Sequence, residues 1–299
     1  MVLFYYEDSD MMIHHTVTDN PDEAAFPLHA HDRYELYCFL RGQGYYTVEG
    51  HDYSLSPGTL LIMRDGETHK LHISPTRPYE RVALHFNPKI LSEDSAASLL
   101  DPFRSRPLGQ FNRLAASPET DRIRDMLIRI TSSEVQDKFR QIMVHAYLPA
   151  ILFEIFQNTE RQENGKAAET VRQPSEEGTC SLTGAIIEFI NRDPSAVTGI
   201  DVLEKKFGYS RSYLNRTFRQ STGVPIWEYV ILKRLTAARI SIRSGTAATI
   251  AAREAGYSDY SSFYRQYRKR FGCTPEDEKR GQNPDKKTDR EEKQPCAPV

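Results

Sequence analysis

Residues 256–275, "GYSDYSSFYRQYRKRFGCTP", decide the fold of the last third of the chain. Their pattern predicts a helix over 259–271, because Phe263, Tyr267 and Phe271 recur every four residues and share one face. Gly256 lies in the turn before this helix, and Gly272 ends it. The face opposite the aromatic rings carries hydrogen-bond donors and positive charge, namely Ser261, Tyr264, Arg265, Arg268 and Lys269. This outer face either binds a partner or is a solvated basic surface.

Residues 208–225, "GYSRSYLNRTFRQSTGVP", repeat the same plan earlier in the chain. In both copies a "GYS" turn precedes a helix with large apolar side chains four residues apart. Leu214 and Phe218 correspond to Phe263 and Tyr267, and each helix is followed by a glycine and a proline. Self-similarity of this kind indicates a repeated structural unit.

Each turn is preceded by a short helical segment, 200–207 in the first copy and 248–255 in the second. The helix, glycine turn and second helix form the helix-turn-helix plan, in which the second helix enters the DNA major groove. A helical run over 227–245 separates the units, so that reading helices about 34 Å apart could engage two successive groove segments. Asn suits adenine and Arg suits guanine for direct readout. The candidate DNA-binding residues are Ser212, Asn215, Arg216, Arg219, Ser261, Tyr264, Arg265 and Arg268.

The C-terminal hundred residues resemble the DNA-binding domain of the AraC/XylS family of transcription regulators. The resemblance is carried by "AGYSDYSSFYRQYRKRFGCTP" and by "SRSYLNRTFRQSTGVP". It implies double-stranded promoter DNA as a partner and points to RNA polymerase as another. The base-facing positions that it implies are Ser212, Asn215, Arg216, Ser261 and Arg265.

The chain departs from the family pattern at three positions. Glu204 stands where alanine is usual, Ala251 where isoleucine is usual, and Glu278 where an aromatic residue is common. The first two changes bear on the packing of the bracing helices. None removes a base-facing residue.

Charge is distributed unevenly along the 299 residues, although the formal net charge is only −2. Residues 1–100 carry 7 Lys and Arg against 15 Asp and Glu, whereas residues 180–280 carry 17 against 10. The basic part coincides with the repeated motif, as binding to phosphates requires. The length and the 39% hydrophobic content suit a globular chain of two domains.

Nothing in the sequence predicts membrane insertion or export. No stretch reaches the ~18 consecutive apolar residues of a membrane span, and the N-terminus lacks the pattern of a signal peptide. The four cysteines, at positions 38, 180, 273 and 296, lack metal-ligand or paired spacing and are expected to be free thiols. We therefore expect a cytoplasmic protein without membrane contact.

Between residues 26 and 86 the pattern changes to short strand-like runs separated by Gly- and Pro-bearing turns, which favours an antiparallel sandwich or barrel. "HAHDRYELYCFLRG" has the spacing H-x-H-x3-E-x6-G, and "GTLLIMRDGETH" follows at 58–69. The pair resembles the two motifs of the cupin barrels, with departures at Arg64 and Ile73. A cupin sensor ahead of such a DNA-binding domain is the common AraC/XylS layout.

The cupin resemblance implies a site formed by His29, His31, Glu35 and His69. These residues are expected to bind a small polar effector, a sugar or a related metabolite, without a cofactor. The alternative is a divalent transition metal, because three imidazoles and a carboxylate suit iron, manganese, nickel or zinc. The remaining histidines are assigned to the surface or the core, and they are His14, His15, His51, His72, His85 and His145.

Two amphipathic stretches follow the barrel, "SPETDRIRDMLIRI" and "KFRQIMVHAYLPAILFEIFQ". Ser117 is placed as an N-cap before Pro118, and Pro149 is expected to bend the second helix. The apolar residues of 138–157 either pack on the barrel or form a homodimer contact, the commonest oligomeric arrangement. They are Ile142, Ala146, Pro149, Ile151, Leu152, Ile155 and Phe156.

The sequence thus predicts an α+β multidomain protein: a cupin-like jelly-roll barrel with dimerisation helices, then an all-α domain with two helix-turn-helix units. The predicted divisions are a barrel over 1–110, a helical dimerisation segment over 111–160, a linker over 161–179, the DNA-binding domain over 180–280 and a disordered tail over 281–299. The expected function is an effector-responsive transcription regulator and not an enzyme. The alternatives are a metal-dependent cupin enzyme with a DNA-binding tail, and an architectural DNA-binding protein with an inert barrel.

Overall fold

The computed structural model describes residues 1–132, 136–166 and 182–280, which form two compact units. The first unit contains Met1–Pro27 and Arg33–Thr179, and the second contains Leu28–Asp32 and Cys180–Val299. The predicted α+β organisation, with a sheet domain first and a helical domain second, is confirmed.

In the residues that the structure describes, the first unit has eight strands in two antiparallel sheets. A five-stranded sheet has the order β1-β2-β8-β3-β6, and a three-stranded sheet has the order β5-β4-β7. The predicted cupin-like fold is confirmed, and it is joined by an N-terminal hairpin, β1 and β2, that the sequence analysis did not assign to strands. The strands are β1 Val2–Glu7, β2 Met11–Thr18, β3 Tyr34–Arg41, β4 Gly44–Val48, β5 His51–Leu55, β6 Leu60–Met63, β7 His69–Ile73 and β8 Tyr79–Phe86.

Side-chain alternation gives the five-stranded sheet two different faces. One face, with Leu36, Val82 and Leu84, belongs to a core shared with the helices of this unit. The other face contributes Tyr37 and Tyr79 to a second core, which the three-stranded sheet completes. The space between the two sheets is therefore lined by every second residue of β3 and β8.

The helices described after the strands in this unit are α1 Glu93–Leu99, α2 Asp101–Arg104, α3 Pro118–Ile130 and α4 Asp137–Lys166. The predicted N-cap is confirmed, because Ser117 Oγ accepts a hydrogen bond from the Thr120 backbone N–H at 3.3 Å in a capping box. Short 3₁₀ turns lie at Glu23–Ala25 and Pro88–Ile90.

Helix α4 continues through Pro149 to Lys166, so the first residues of the predicted linker are helical. The rest of that linker, 167–179, and the predicted disordered tail, 281–299, lie outside the described residues. By length and composition Lys138–Gln162 could cross a membrane. Its inner face nevertheless packs in the core with the sheet, which is the behaviour of a core helix.

The apolar residues of α4 divide into two faces. Ile151, Leu152 and Ile155, from the set that the sequence left undivided, are buried against the sheet with Val144 and Leu148. A second set points outward at spacings of three and four residues, and we call it the outer stripe: Phe139, Ile142, Ala146, Pro149 and Phe153. The inner face packs on the barrel, as one of the two alternatives predicts, and a dimer contact through the outer stripe stays a prediction.

The second unit is helical, as predicted, and the four helices whose bounds the sequence predicts, over 200–207, 227–245, 248–255 and 259–271, agree with the structure to within two residues. It has two cores, one around Leu214 and Phe218 and one around Phe263 and Tyr267, and the segment Leu28–Asp32 contributes Leu28 and Ala30 to the first. A 3₁₀ turn lies at Pro194–Ala196. The helices are α5 Leu182–Arg192, α6 Ile200–Phe207, α7 Arg211–Thr222, α8 Ile226–Arg243, α9 Ala248–Glu254, α10 Tyr260–Phe271 and α11 Pro275–Arg280.

The three residues that depart from the family pattern, Glu204, Ala251 and Glu278, are each accommodated in this unit. Glu204 accepts a hydrogen bond from the Arg211 backbone N–H at 2.7 Å, and Ala251 is buried in the second core. Glu278 is buried and accepts hydrogen bonds from Arg239 Nε at 2.7 Å and Arg243 Nε at 2.6 Å. A carboxylate bound by two guanidinium groups thus occupies the place of the usual aromatic ring.

Candidate nucleic-acid interface and ligand site

Helix α7 is held by its buried face and leaves the opposite face exposed. Ser210 caps its N-terminus, and Gly223 ends it in the left-handed conformation at φ +83°. Leu214 and Phe218 are fully buried, so the orientation of the helix about its axis is set by the core. The predicted DNA-binding residues Ser212, Arg216 and Arg219 are all exposed.

Asn215 differs from the other predicted residues of α7. Its Oδ1 accepts a hydrogen bond from the Ile226 backbone N–H at 3.2 Å, and its Nδ2 donates to the Arg211 carbonyl at 3.2 Å. Ile226 is the first residue of α8, whose initial N–H groups have no partner within the helix. The side chain of Asn215 therefore ties α7 to the start of α8, and its role in reading adenine stays a prediction.

Helix α10 repeats this construction. Asp259 caps it by accepting hydrogen bonds from the Ser261 and Ser262 N–H groups at 3.1 and 2.8 Å, and Gly272 ends it at φ +71°. Phe263, Tyr267 and Phe271 are buried, as the spacing predicts. Of the predicted DNA-binding residues, Ser261, Arg265 and Arg268 are exposed and Tyr264 is partly buried.

The two helices share a chemistry. Each exposes arginines, and a serine lies within its first two residues, on the side away from a rigid aromatic or aliphatic core. Arginine offers a planar set of donors that can bind guanine edges or phosphates in pairs. The exposed faces of α7 and α10 are therefore suited to bind base edges and the DNA backbone.

Within the sheet unit, two of the four predicted ligand residues contact each other. Glu35 on β3 and His69 on β7 are both buried, and His69 Nε2 lies 3.3 Å from Glu35 Oε2. His69 Nδ1 lies 2.9 Å from the Glu67 carbonyl oxygen, which can only accept, so Nδ1 carries a proton. Burial by itself would lower the pKa of His69, but the hydrogen bond and the charge of Glu35 outweigh it and raise that pKa.

The other two predicted residues, His29 and His31, lie in the segment Leu28–Asp32, which the structure groups with the helical unit. Their ring centroids are 6.1 Å apart. This placement differs from the predicted barrel over 1–110, because packing and not chain order decides where a short segment belongs. Their role in effector binding stays a prediction.

Two histidines that the sequence analysis assigned to the surface or the core belong to this polar region. His85 on β8 is directly opposite Glu35, with Nδ1 4.0 Å from Glu35 Oε2, and the His14 ring on β2 stacks on His85 at 5.9 Å. Burial, with Arg81 as the second cause, lowers the pKa of His14 to about 4. The signal that could have found His85 is the alternation of β8, where Tyr79, Arg81, Ala83 and His85 share one face.

Arg81 was also missed by the sequence analysis. It is partly buried on β8, and its guanidinium carbon lies 5.2 Å from the Phe26 ring centroid and 5.1 Å from that of Tyr79. Tyr79 in turn shares a hydroxyl hydrogen bond of 2.8 Å with Tyr37. The space between the sheets thus contains a cation and aromatic hydroxyls as well as the carboxylate and imidazoles.

The residues around Glu35 are of the types that divalent transition metals bind. Two imidazoles, from His69 and His85, flank one carboxylate, and the Glu67 carbonyl fixes the His69 tautomer with Nε2 directed toward Glu35, as in typical metal-bound histidines. A protonated His69 satisfies the same geometry. The predicted metal ligands therefore stay a prediction.

Both parts of the chain match known sequence families. A family described as "AraC-like ligand binding domain" matches residues 16–152, and a family described as "Helix-turn-helix domain" matches residues 203–281. These two ranges cover most of the sheet unit and nearly all of the two helix-turn-helix segments.

Curated relatives agree with these matches. The chain is similar to the regulatory protein SoxS of Salmonella typhimurium, with 36% identity over 93 residues that cover 31% of this chain and 87% of that protein. It is also similar to the HTH-type transcriptional activator RhaS of Escherichia coli, with 24% identity over 276 residues, 87% of this chain and 90% of that protein. The crystal structure of ToxT from Vibrio cholerae O395 aligns with 92% of this chain and 98% of that one, at 11% identity and a TM-score of 0.36. The chain belongs to the AraC/XylS family: it is a DNA-binding transcription regulator with an N-terminal domain for a small-molecule effector.

Proposed function

We propose that this regulator reads promoter DNA with α7 and α10 and responds to a sugar or a related polar metabolite bound between its sheets. The observation that carries the DNA-binding assignment is the pair of capped helices that expose arginine on the face opposite a rigid core. The proposed base readers are Ser212, Arg216, Ser261 and Arg265, with Asn215 retained from the family resemblance. Arg219, Tyr264 and Arg268 complete the proposed contact surface.

Residues 180–280 are expected to bind promoter DNA without the sheet unit. They contain both reading helices, the basic excess and the whole of the matched helix-turn-helix family except residue 281. A gel shift at low salt with DNA from the neighbouring promoter tests this, with the full chain as the control. If the full chain shifts the DNA and the folded fragment does not, the sheet unit takes part in binding.

For the sheet unit we propose effector sensing, with a metal as the alternative. His69 Nε2 and His85 Nδ1 lie 3.3 and 4.0 Å from Glu35 Oε2, and such buried groups suit the hydroxyls of a sugar. The relatives are regulators, which supports a chain without enzymatic activity. One equivalent of tightly bound iron, nickel or zinc, together with turnover of a sugar, would instead favour the metal-dependent enzyme.

We further propose that the regulator acts in the cytoplasm as a homodimer and that RNA polymerase is a partner. RhaS is described as a transcriptional activator, which supports a polymerase contact. The dimer is proposed on the outer stripe of α4, where Ile142 is 63% and Phe153 49% exposed. A stripe with spacings of three and four residues is typical of a helix that packs against another helix.

Changing Ile142 and Phe153 together to glutamate is expected to leave a monomer. Each buried side chain contributes ~1.5–3 kcal/mol and each occurs twice in a symmetric dimer, so the loss is at least ~6 kcal/mol and association should weaken by at least about 10⁴-fold. Light scattering at micromolar concentration measures the mass. The matched control is Ile250→Glu, an isoleucine of α9 that is also exposed. A wild-type chain that is monomeric with and without DNA would contradict the dimer.

A further inference from the structure

Arg81 stands inside the sheet unit without a carboxylate. It pairs in register with Phe39 of β3 and Thr16 of β2, and it lies on the same face of β8 as Tyr79 and His85. Phe39 and Tyr79 both belong to the core between the two sheets. The guanidinium is therefore on the inner side of the five-stranded sheet.

Its contacts among the described residues are aromatic rings and a hydroxyl. The rings of Phe26 and Tyr79 lie near the guanidinium carbon, and Tyr79 is its hydrogen-bond partner. No Asp or Glu oxygen within the described ranges lies within 4 Å of it. Rings stabilise a guanidinium, but they leave most of its five N–H donors unused.

A second polar group nearby also lacks a partner. His14 Nδ1 is buried and has no hydrogen-bond partner in the described part of the chain. His14 pairs in register with Ala83, two residues from Arg81 along β8. Buried polar atoms without partners are rare in native proteins and call for an explanation such as a ligand.

The buried carboxylate of Glu35 lies at the opposite end of the space between the sheets from Arg81. Glu35 is opposite His85, four residues from Arg81 along β8 and therefore about 13 Å away. The interior thus has a cation at one end and a carboxylate with imidazoles at the other. A ligand that matches both ends carries negative charge on one side and hydroxyl groups on the other.

We propose that the effector is a small hydroxylated carboxylate, such as a sugar acid, and that Arg81 binds its carboxylate group. Arg81 would form the paired hydrogen bonds that a planar guanidinium makes with a carboxylate, and His14 Nδ1 would bond a hydroxyl of the same molecule. This rests on the proposed sensing function and narrows it, because a neutral sugar would leave the Arg81 charge unpaired.

Thermal unfolding of the full chain tests the proposal with matched pairs of probes at 20 mM. D-Glucuronate, D-galacturonate and D-gluconate are compared with D-glucose, D-galactose and D-glucitol. At least one acid is expected to raise Tm by several degrees while its neutral counterpart does not. Arg81→Met should weaken the binding of that acid by about 10- to 100-fold, and Arg81→Lys by less. The matched control Arg77→Met, at an exposed arginine, should keep the shift.

The variant also has a readout that needs no ligand. If Arg81 serves to bind a ligand, Arg81→Met should raise the Tm of the ligand-free chain, because a partly buried charge that has no carboxylate partner is removed. A lowered Tm would assign Arg81 a structural role and overturn the proposal, as would the absence of any carboxylate-dependent shift or an equal shift with the neutral probes. A gel shift on the same preparation separates a failure of this proposal from a failure of the proposed function. If the wild type does not bind promoter DNA, the proposed function itself is contradicted.

Discussion

Replacement of Arg216 and Arg265 together by alanine is expected to abolish specific promoter binding at ordinary protein concentrations. Each arginine should contribute ~1–3 kcal/mol through base contacts. Since they lie on different helices, α7 and α10, with no shared contact, their losses should add to ~2–6 kcal/mol. That corresponds to a loss of affinity of about 30-fold to 10⁴-fold.

Fluorescence anisotropy with promoter and random DNA, each at several salt concentrations, measures this effect. The double variant should lose its preference for the promoter, whereas Lys269→Ala should weaken both DNAs alike and reduce the salt dependence. Arg192→Ala, on α5 and paired with Glu188, serves as the surface control. Equal losses on promoter and random DNA in the double variant would mean that these arginines bind phosphates and that the base readers lie elsewhere.

Replacement of Glu67 by alanine is expected to destabilise the sheet unit by ~3–5 kcal/mol, because it leaves a buried guanidinium unpaired. Glu67 is fully buried and receives Arg106 Nη1 at 2.7 Å and Nη2 at 2.6 Å. Its carboxylate also accepts hydrogen bonds from the backbone N–H groups of Arg64 and Gly109, both at 2.9 Å. These bonds hold the segment that follows α2 against the sheets.

Thermal or urea unfolding of the full chain measures the loss, which should lower the Tm of the sheet unit by roughly 10 °C. Glu160→Ala, at an exposed glutamate of α4, is the matched control and should change Tm little. Joint replacement of Glu67 and Arg106 by leucine should cost less than Glu67→Ala alone, because no charge is then left unpaired. A double variant as unstable as the sum of the two single variants would show that the pair is not coupled.

Much of the helical unit was predictable because its signals are local. The turn before α7 depends on Gly208, which adopts φ +74°, and the turn before α10 on Gly256 at φ +86°. The caps, the glycine stops and the four-residue spacing of Phe263 and Tyr267 all lie within about twenty residues of one another. Asn215 is the exception, since its hydrogen bond to the start of α8 depends on how two helices meet.

The sheet unit was harder to predict in detail because its contacts join distant parts of the chain. The motif residues Glu35 and His69 do meet, 34 positions apart in sequence. The hairpin β1-β2 was not predicted, and so His14 was not predicted to line the interior. His14 reaches the interior only because β2 pairs with β8. Alternation along β8 places Arg81 and His85 on one face, but only the packing of the two sheets shows that this face is the enclosed one.

The sequence by itself determined the family, the two helix-turn-helix units and the cupin-like sheet domain, since turn glycines, caps and periodicity act over short distances. Only the tertiary structure decided which polar side chains share an interior, because strand register places Glu35, His85, His14 and Arg81 around one space. Packing likewise divided α4 into an inner face and an outer stripe and grouped Leu28–Asp32 with the helical unit. The physical reason is that burial depends on the elements that meet a face, and chain order does not specify them.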